Sequence, residues 1–237
     1  MNKKSLIPLL FSLIFCVGFI QQNSDCINEI LKLEEKIYAK KYTEKDKPTF
    51  LSYSLKTIDW ENKTVNVDVK MYRAYNNMHF FSNQTDIYQN EKEMIMVLKL
   101  QKLIVLENSN EEIMAKGLNE DFLAVKRNFL NQCELVSCAA IDSDKEVKRV
   151  ELKVNDDMNG ALFIDKMIYK YKPASKEILS NSTFYKKGYK VKQIDIKYNK
   201  LDLEHTYKFN NPKRYVMDAK ENLLSKYAGY ELIDNRK

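Results

Sequence analysis

The chain has 237 residues, with 39 lysines and arginines against 33 aspartates and glutamates and a formal charge of +6, two units of which come from Lys3 and Lys4. Both signs are spread along the whole length, which argues against nucleic-acid binding and leaves only mild attraction to anionic lipid or polymer. Five glycines and four prolines exclude a Gly-rich repeat or a disordered linker, while 15 tyrosines and 11 phenylalanines supply strand-forming bulk.

Met1-Asn2-Lys3-Lys4 and the apolar run from Leu6 to Ile20 have the form of a secretory signal, with small side chains near Cys16-Val17-Gly18. A spanning helix needs about 20 apolar residues; this run stops at Gln21-Gln22. The expected division is a signal peptide over 1–18 and a single β-rich domain over 19–237, large enough to bury a core. Lipidation would use Cys16 or Cys26, but Phe15 is too large to precede a lipidated cysteine and Asp25 is charged. Export narrows the function to binding, carriage, surface structure or secreted hydrolysis.

Over 26–41, Ile27, Ile30, Leu31, Leu33, Ile37 and Tyr38 recur at spacings of three and four behind Asp25, which predicts an amphipathic helix. The period then changes to two. Leu51, Tyr53 and Leu55 alternate with polar residues, and Val65, Val67, Val69 and Met71 do the same after the turn Glu61-Asn62-Lys63, which predicts a hairpin. Further strands are expected at 78–82, 85–89, 93–100 and 102–106, with Asn90-Glu91-Lys92 as a turn. Helical spacing returns over 119–133 after Gly117, and strands resume at 148–154, 161–171, 181–187, 190–198 and 203–209. The tail 222–233 is apolar enough to dock on the body. Short connections and few crossovers favour an α+β fold built on a curved antiparallel sheet with helices on one face.

No motif of catalysis stands out: there is no G-x-S-x-G, no H-E-x-x-H, no phosphate loop and no C-x-x-C. His79 and His205 are isolated, sit in expected strands, and read as surface or half-buried hydrogen-bonding groups. Asp156-Asp157 read as solvated turn residues. Cys133 and Cys138 are spaced to close a short disulfide loop, with Cys26 stapling the N-terminal helix to that region as the alternative. Neither a metal nor a cofactor is expected. Met71, Met78, Met94 and Met96 accompany the valine-rich strands, and methionine suits a surface that adapts to apolar guests as well as an ordinary core.

The order of elements resembles the LolA/LolB-like outer-membrane lipoprotein carriers and receptors. Val69 to Tyr75 looks like the strand that ends in an Arg-Pro pair in those carriers, with Arg73 at the arginine and Ala74 where the proline is expected. Residues 85–94 look like the following hairpin, without its usual glycine, and 168–191 look like the second group of strands. The resemblance implies a half-barrel: a strongly curved sheet, lidded by an N-terminal and an interposed helix on its concave face, in the periplasm of a Gram-negative bacterium. It also implies a non-enzymatic protein that holds an apolar or acylated ligand, a lipid or a lipoprotein. The expected lining is Tyr53, Leu55, Val65, Val67, Val69, Met71, Met94, Met96 and Leu98, with Arg73 near the mouth. The alternative is a structural partner of an envelope complex whose core is filled by its own side chains. Peripheral membrane contact fits either reading.

Overall fold

The computed structural model describes residues 25–37, 47–74, 77–109, 120–155 and 163–236, so the expected signal and the Asn159-Gly160 turn lie outside the described residues. Within them, an open sheet of twelve strands, antiparallel except for one edge pair, carries two helices on one face, an α+β architecture.

Helix α1 spans residues 25–37. It buries Cys26, Ile27, Ile30, Leu31, Leu33 and Ile37, the stripe that spacings of three and four place on one side of a 3.6-residue turn. Strands β1 (Thr49–Ile58) and β2 (Thr64–Ala74) form the expected hairpin. Its turn is closed by the Asp59 carboxylate, which accepts the backbone N–H of Glu61 at 2.9 Å and of Lys63 at 2.8 Å. Asn62 takes the positive φ of 64° that asparagine tolerates.

The meander continues through β3 (Asn77–Ser82), β4 (Thr85–Gln89), β5 (Glu93–Leu98) and β6 (Leu103–Asn108). The β4–β5 turn needs no glycine, because the Asn90 side chain accepts the N–H of Lys92 at 2.8 Å and of Glu93 at 2.9 Å. Helix α2 (Glu120–Asn131) leads into a second meander of β7 (Glu134–Ile141), β8 (Asp144–Lys153), β9 (Ile164–Lys172), β10 (Glu177–Tyr185) and β11 (Gln193–Asp202). Pairing of β1 with β11 joins the two meanders, and β12 (Glu231–Asp234) adds to β6 in parallel. The order is β12-β6-β5-β4-β3-β2-β1-β11-β10-β9-β8-β7, with β12 and β7 as unpaired edges.

The pairing registers separate two faces. One carries Leu51, Tyr169, Val150 and Leu152, which pack against α1, Leu130 and Cys133, and it continues through Val69 on β2. The other carries Tyr88, Ile95, Val97, Ile104 and Leu106 and is covered by the C-terminal tail through Tyr215, Val216, Met217, Leu223 and Tyr227. The docking expected of 222–233 is therefore present, and residues 212–230 bury the outer side of β4–β6.

One strand is unanticipated and two local expectations fail. Residues 134–141, to which the sequence reading assigns no element, form β7; their alternation is blunted by Ser137, Ala139 and Ala140, which have little strand preference of their own. Residues 205–211 have no ladder partner; Tyr207 and Phe209 alternate because both pack against His79 on the outer face. Cys138 is bonded to Cys26, the alternative in which the N-terminal helix is stapled to this region, and not to Cys133. Cys133 closes the helical segment with its thiol donating to the Phe129 carbonyl at 3.3 Å, whereas Cys138 stands midway along β7, opposite Val150, on the face that α1 covers.

Candidate functional site

All ten residues singled out from the sequence lie on the α1 face. Tyr53 stands opposite Val69, Leu55 opposite Val67, Val65 opposite Thr57, Met71 opposite Leu51 and Arg73 opposite Thr49. The same face continues through Met71–Phe80, Phe80–Ile87 and Ile87–Met96, with Met94 and Leu98 two residues to either side on β5. Phe80 and Ile87 belong to this strip and escaped the sequence reading. Assigning them needs the register across two connections, which single-strand alternation does not contain.

Solvent access is graded along the strip. Val69 and Arg73 are buried, Val65 is exposed, and Tyr53, Leu55, Val67, Met71, Met94, Met96 and Leu98 are half-buried. Among the described residues, α1 and α2 pack over β8–β11 and the neighbouring end of β1, whereas the strip runs on across β2–β5, where Val67, Met71, Phe80, Ile87, Met94, Met96 and Leu98 are only half covered.

Beside the strip, under the C-terminal half of α1, the structure is open. A cleft of about 320 Å³ opens between the C-terminal half of α1 and strands β10 and β11, with Leu33, Ile37, Ile178, Tyr198 and Leu201 as apolar walls. None of the ten lines it directly, but Tyr198 pairs with Tyr53 and Leu201 with Leu51, so its floor and the strip are one surface. A second opening of about 400 Å³ lies on the other side of Lys36, bounded by Glu29, Lys32, Tyr171 and Pro173. Lys36 donates to the Lys176 carbonyl at 3.2 Å, a bridge between helix and sheet that both openings share.

The helix that roofs the cleft is held at several points. Cys26 is bonded to Cys138; Glu34, fully buried, pairs with Lys126 of α2; Arg127 reaches Glu35 at 2.6 Å; and the Tyr171 hydroxyl donates to Glu29. Burial and the carboxylate of Glu29 together raise the Tyr171 phenol well above its ordinary pKa. These contacts fix the roof over β7–β9 and leave its last turn beside the cleft.

Arg73 is the polar exception on the strip. It is 5% exposed, its Nε has no hydrogen-bond partner among the described residues, and burial lowers its pKa to about 10. His79, on the outer face, is 1% exposed rather than at the surface, and Tyr88, Tyr207, Phe209 and Tyr215 surround its ring. Its Nδ1 lies 2.8 Å from the Tyr207 hydroxyl, and burial lowers its pKa to about 4. A histidine so enclosed has no route to a substrate. His205 follows β11 outside any strand, 3.1 Å from Asp202 and against Phe50 and Tyr72. Among the described residues no three His, Cys, Asp or Glu side chains converge as metal ligands, and no helix is long and apolar enough to cross a membrane.

No family model and no curated protein matches this sequence. Similar solved structures include an uncharacterized conserved protein from Thermus thermophilus, 11% identical over 86% of this chain and 98% of that one at a TM-score of 0.40. A putative outer membrane lipoprotein-sorting protein domain from Vibrio parahaemolyticus is 10% identical over 79% and 97%, at 0.32. A LolA superfamily protein from Nitrosomonas europaea is 10% identical over 74% and 94%, at 0.29. Structures of the superfamily that the sequence resembles are thus among the matches. At TM-scores under 0.5, the site rests on this chain's own residues.

Proposed function

We propose that this chain is an exported, non-enzymatic half-barrel protein that holds an apolar or acylated guest on the α1 face of its sheet. In this reading residues 19–237 form one domain, the sheet curves around the guest, and the periplasm is where it works. The observation that carries the proposal is the continuity between the half-covered strip of Tyr53, Leu55, Val67, Met71, Met94, Met96 and Leu98 and the cleft under α1. Cavities that hold small ligands span about 300–1,000 Å³, and the cleft falls at the lower end of that range before the strip is added.

No chemical step is needed. Each methylene moved from water onto such a surface contributes about 0.8 kcal/mol, so ten would supply roughly 8 kcal/mol before the cost of immobilising the chain. Methionines on β5 adapt their rotamers to guests of different shape. Titration of the purified protein with a fluorescent acyl probe tests the reading. Val67→Glu places a carboxylate on the strip at a half-buried position, and binding should fall at least tenfold while the fold is kept; equal binding by wild type and variant would refute it.

A further inference from the structure

At the end of the sheet where the β1–β2 and β10–β11 connections meet, the chain presents an aromatic cluster to solvent. Trp60 is 37% exposed, Tyr189 37% and Phe163 40%. These side chains are held rather than loose. The Trp60 indole donates to the Tyr189 carbonyl at 2.7 Å, Tyr185 stacks on Tyr189 with ring centroids 4.3 Å apart, and Phe163 lies 6.2 Å from Tyr189. Backbone bonds tie the segments together: Lys192 N–H donates to Ile58 O at 2.9 Å, and Lys186 N–H to Phe163 O at 2.8 Å. Gly188, at a φ of 106°, makes the turn that brings Tyr189 back onto Tyr185.

The charge around this cluster has one dominant sign. Lys63, Lys187 and Lys190 are exposed about it, and Lys192 is exposed with its ammonium on the Asn62 side-chain oxygen at 3.1 Å. In the β1–β2 turn, Asp59 is spent on the backbone of its own turn, which leaves Glu61, and on the Phe163 side the nearest described carboxylate is the half-buried Asp165. Rigid, half-exposed tryptophan and tyrosine ringed by lysine match the interface of a lipid bilayer: the rings sit at headgroup depth, and the ammonium groups reach anionic phosphate. A protein partner would favour arginine over lysine in such a patch.

We propose that this end of the sheet docks on the surface of an anionic lipid bilayer, with Trp60, Tyr189 and Phe163 at headgroup level and the surrounding lysines on the lipid phosphates. The proposal is independent of any guest on the α1 face. Docking here would leave the cleft under α1 open, since its lining lies on α1, β10 and β11 and includes none of these aromatic residues.

Trp60 is the single tryptophan of the chain, so its emission reports on this patch alone. The intact protein is mixed with vesicles of phosphatidylglycerol and phosphatidylcholine, and in parallel with phosphatidylcholine vesicles. With the anionic vesicles the protein should co-sediment and the emission should shift to the blue; high salt or the zwitterionic vesicles should suppress both. Each exposed lysine neutralised near a surface lowers partitioning roughly fivefold, so Lys187→Gln with Lys190→Gln should lower it about 25-fold. Both positions are exposed, and circular dichroism confirms the fold of the double variant. No sedimentation with anionic vesicles, sedimentation with an unshifted emission, or an unchanged partition of the double variant would each overturn the proposal.

Discussion

Cys26 of α1 is bonded to Cys138 of β7 across 112 residues, with their Cα atoms 6.5 Å apart. The bond fastens the N-terminal end of the helix to the far edge of the sheet, so α1 must lie along the face that carries the apolar strip. Closing a loop of this length removes much of the freedom of the unfolded chain, a stabilisation of about 2–4 kcal/mol. Cys26→Ser and Cys138→Ser should each lower the unfolding free energy by that amount in urea titrations. The double variant should lose little more than either single one, because the two positions share one bond. Additive losses would mean that the thiols act separately.

Helix α1 is also tied to α2 through Glu34 and Lys126, and Glu34 is the more deeply buried partner. Removing only the lysine leaves a buried carboxylate without its counter-charge, so Lys126→Met should cost about 3–5 kcal/mol. Glu34→Leu with Lys126→Met should recover most of that loss, since an apolar pair of similar volume is often neutral in such a place. Equilibrium unfolding of the two variants separates these outcomes.

Arg73 carries a guanidinium into the α1 face with no carboxylate partner among the described residues, and its Nε is orphaned. Burying an unpaired polar group costs about 1–3 kcal/mol. Arg73→Met, which keeps the long apolar stem, should therefore raise the melting temperature of the guest-free protein. A fall would show that the charge has a partner in solution.

His79 sets a pH dependence. In the unfolded chain its pKa returns to the ordinary value of about 6.5, and in the folded protein burial holds it at about 4. The unfolded state therefore binds more protons between these values, so stability is full above pH 6.5 and falls as the pH is lowered towards 4, by about 3 kcal/mol. Thermal melts between pH 7 and 4 should show the decline, and His79→Phe should remove most of it. A flat profile in the wild type would contradict a neutral, enclosed imidazole.

How much of this was legible in the sequence depended on how local each signal was. The alternation of Val65, Val67, Val69 and Met71 names its own face, and the stripe of α1 names its buried side, so both could be read without partners. Which strand neighbours which could not. Phe80 and Ile87 join the strip only through the registers of β2 with β3 and β3 with β4, and the cleft exists because Leu33 and Ile37 meet Ile178 and Leu201, far away in the chain. Alternation also misled at Tyr207 and Phe209, where the period of two comes from packing on His79 and not from a ladder. The disulfide followed the same pattern: the pair close in sequence was passed over for Cys26, which folding brings to Cys138.

The most direct measurement is mass spectrometry of the natively purified protein, with and without organic extraction. An apolar or acylated molecule should leave with the extract in near-stoichiometric amount from the wild type and be missing from Val67→Glu. Protein that carries no such molecule, and takes up none when offered acyl chains, would contradict a guest on the α1 face.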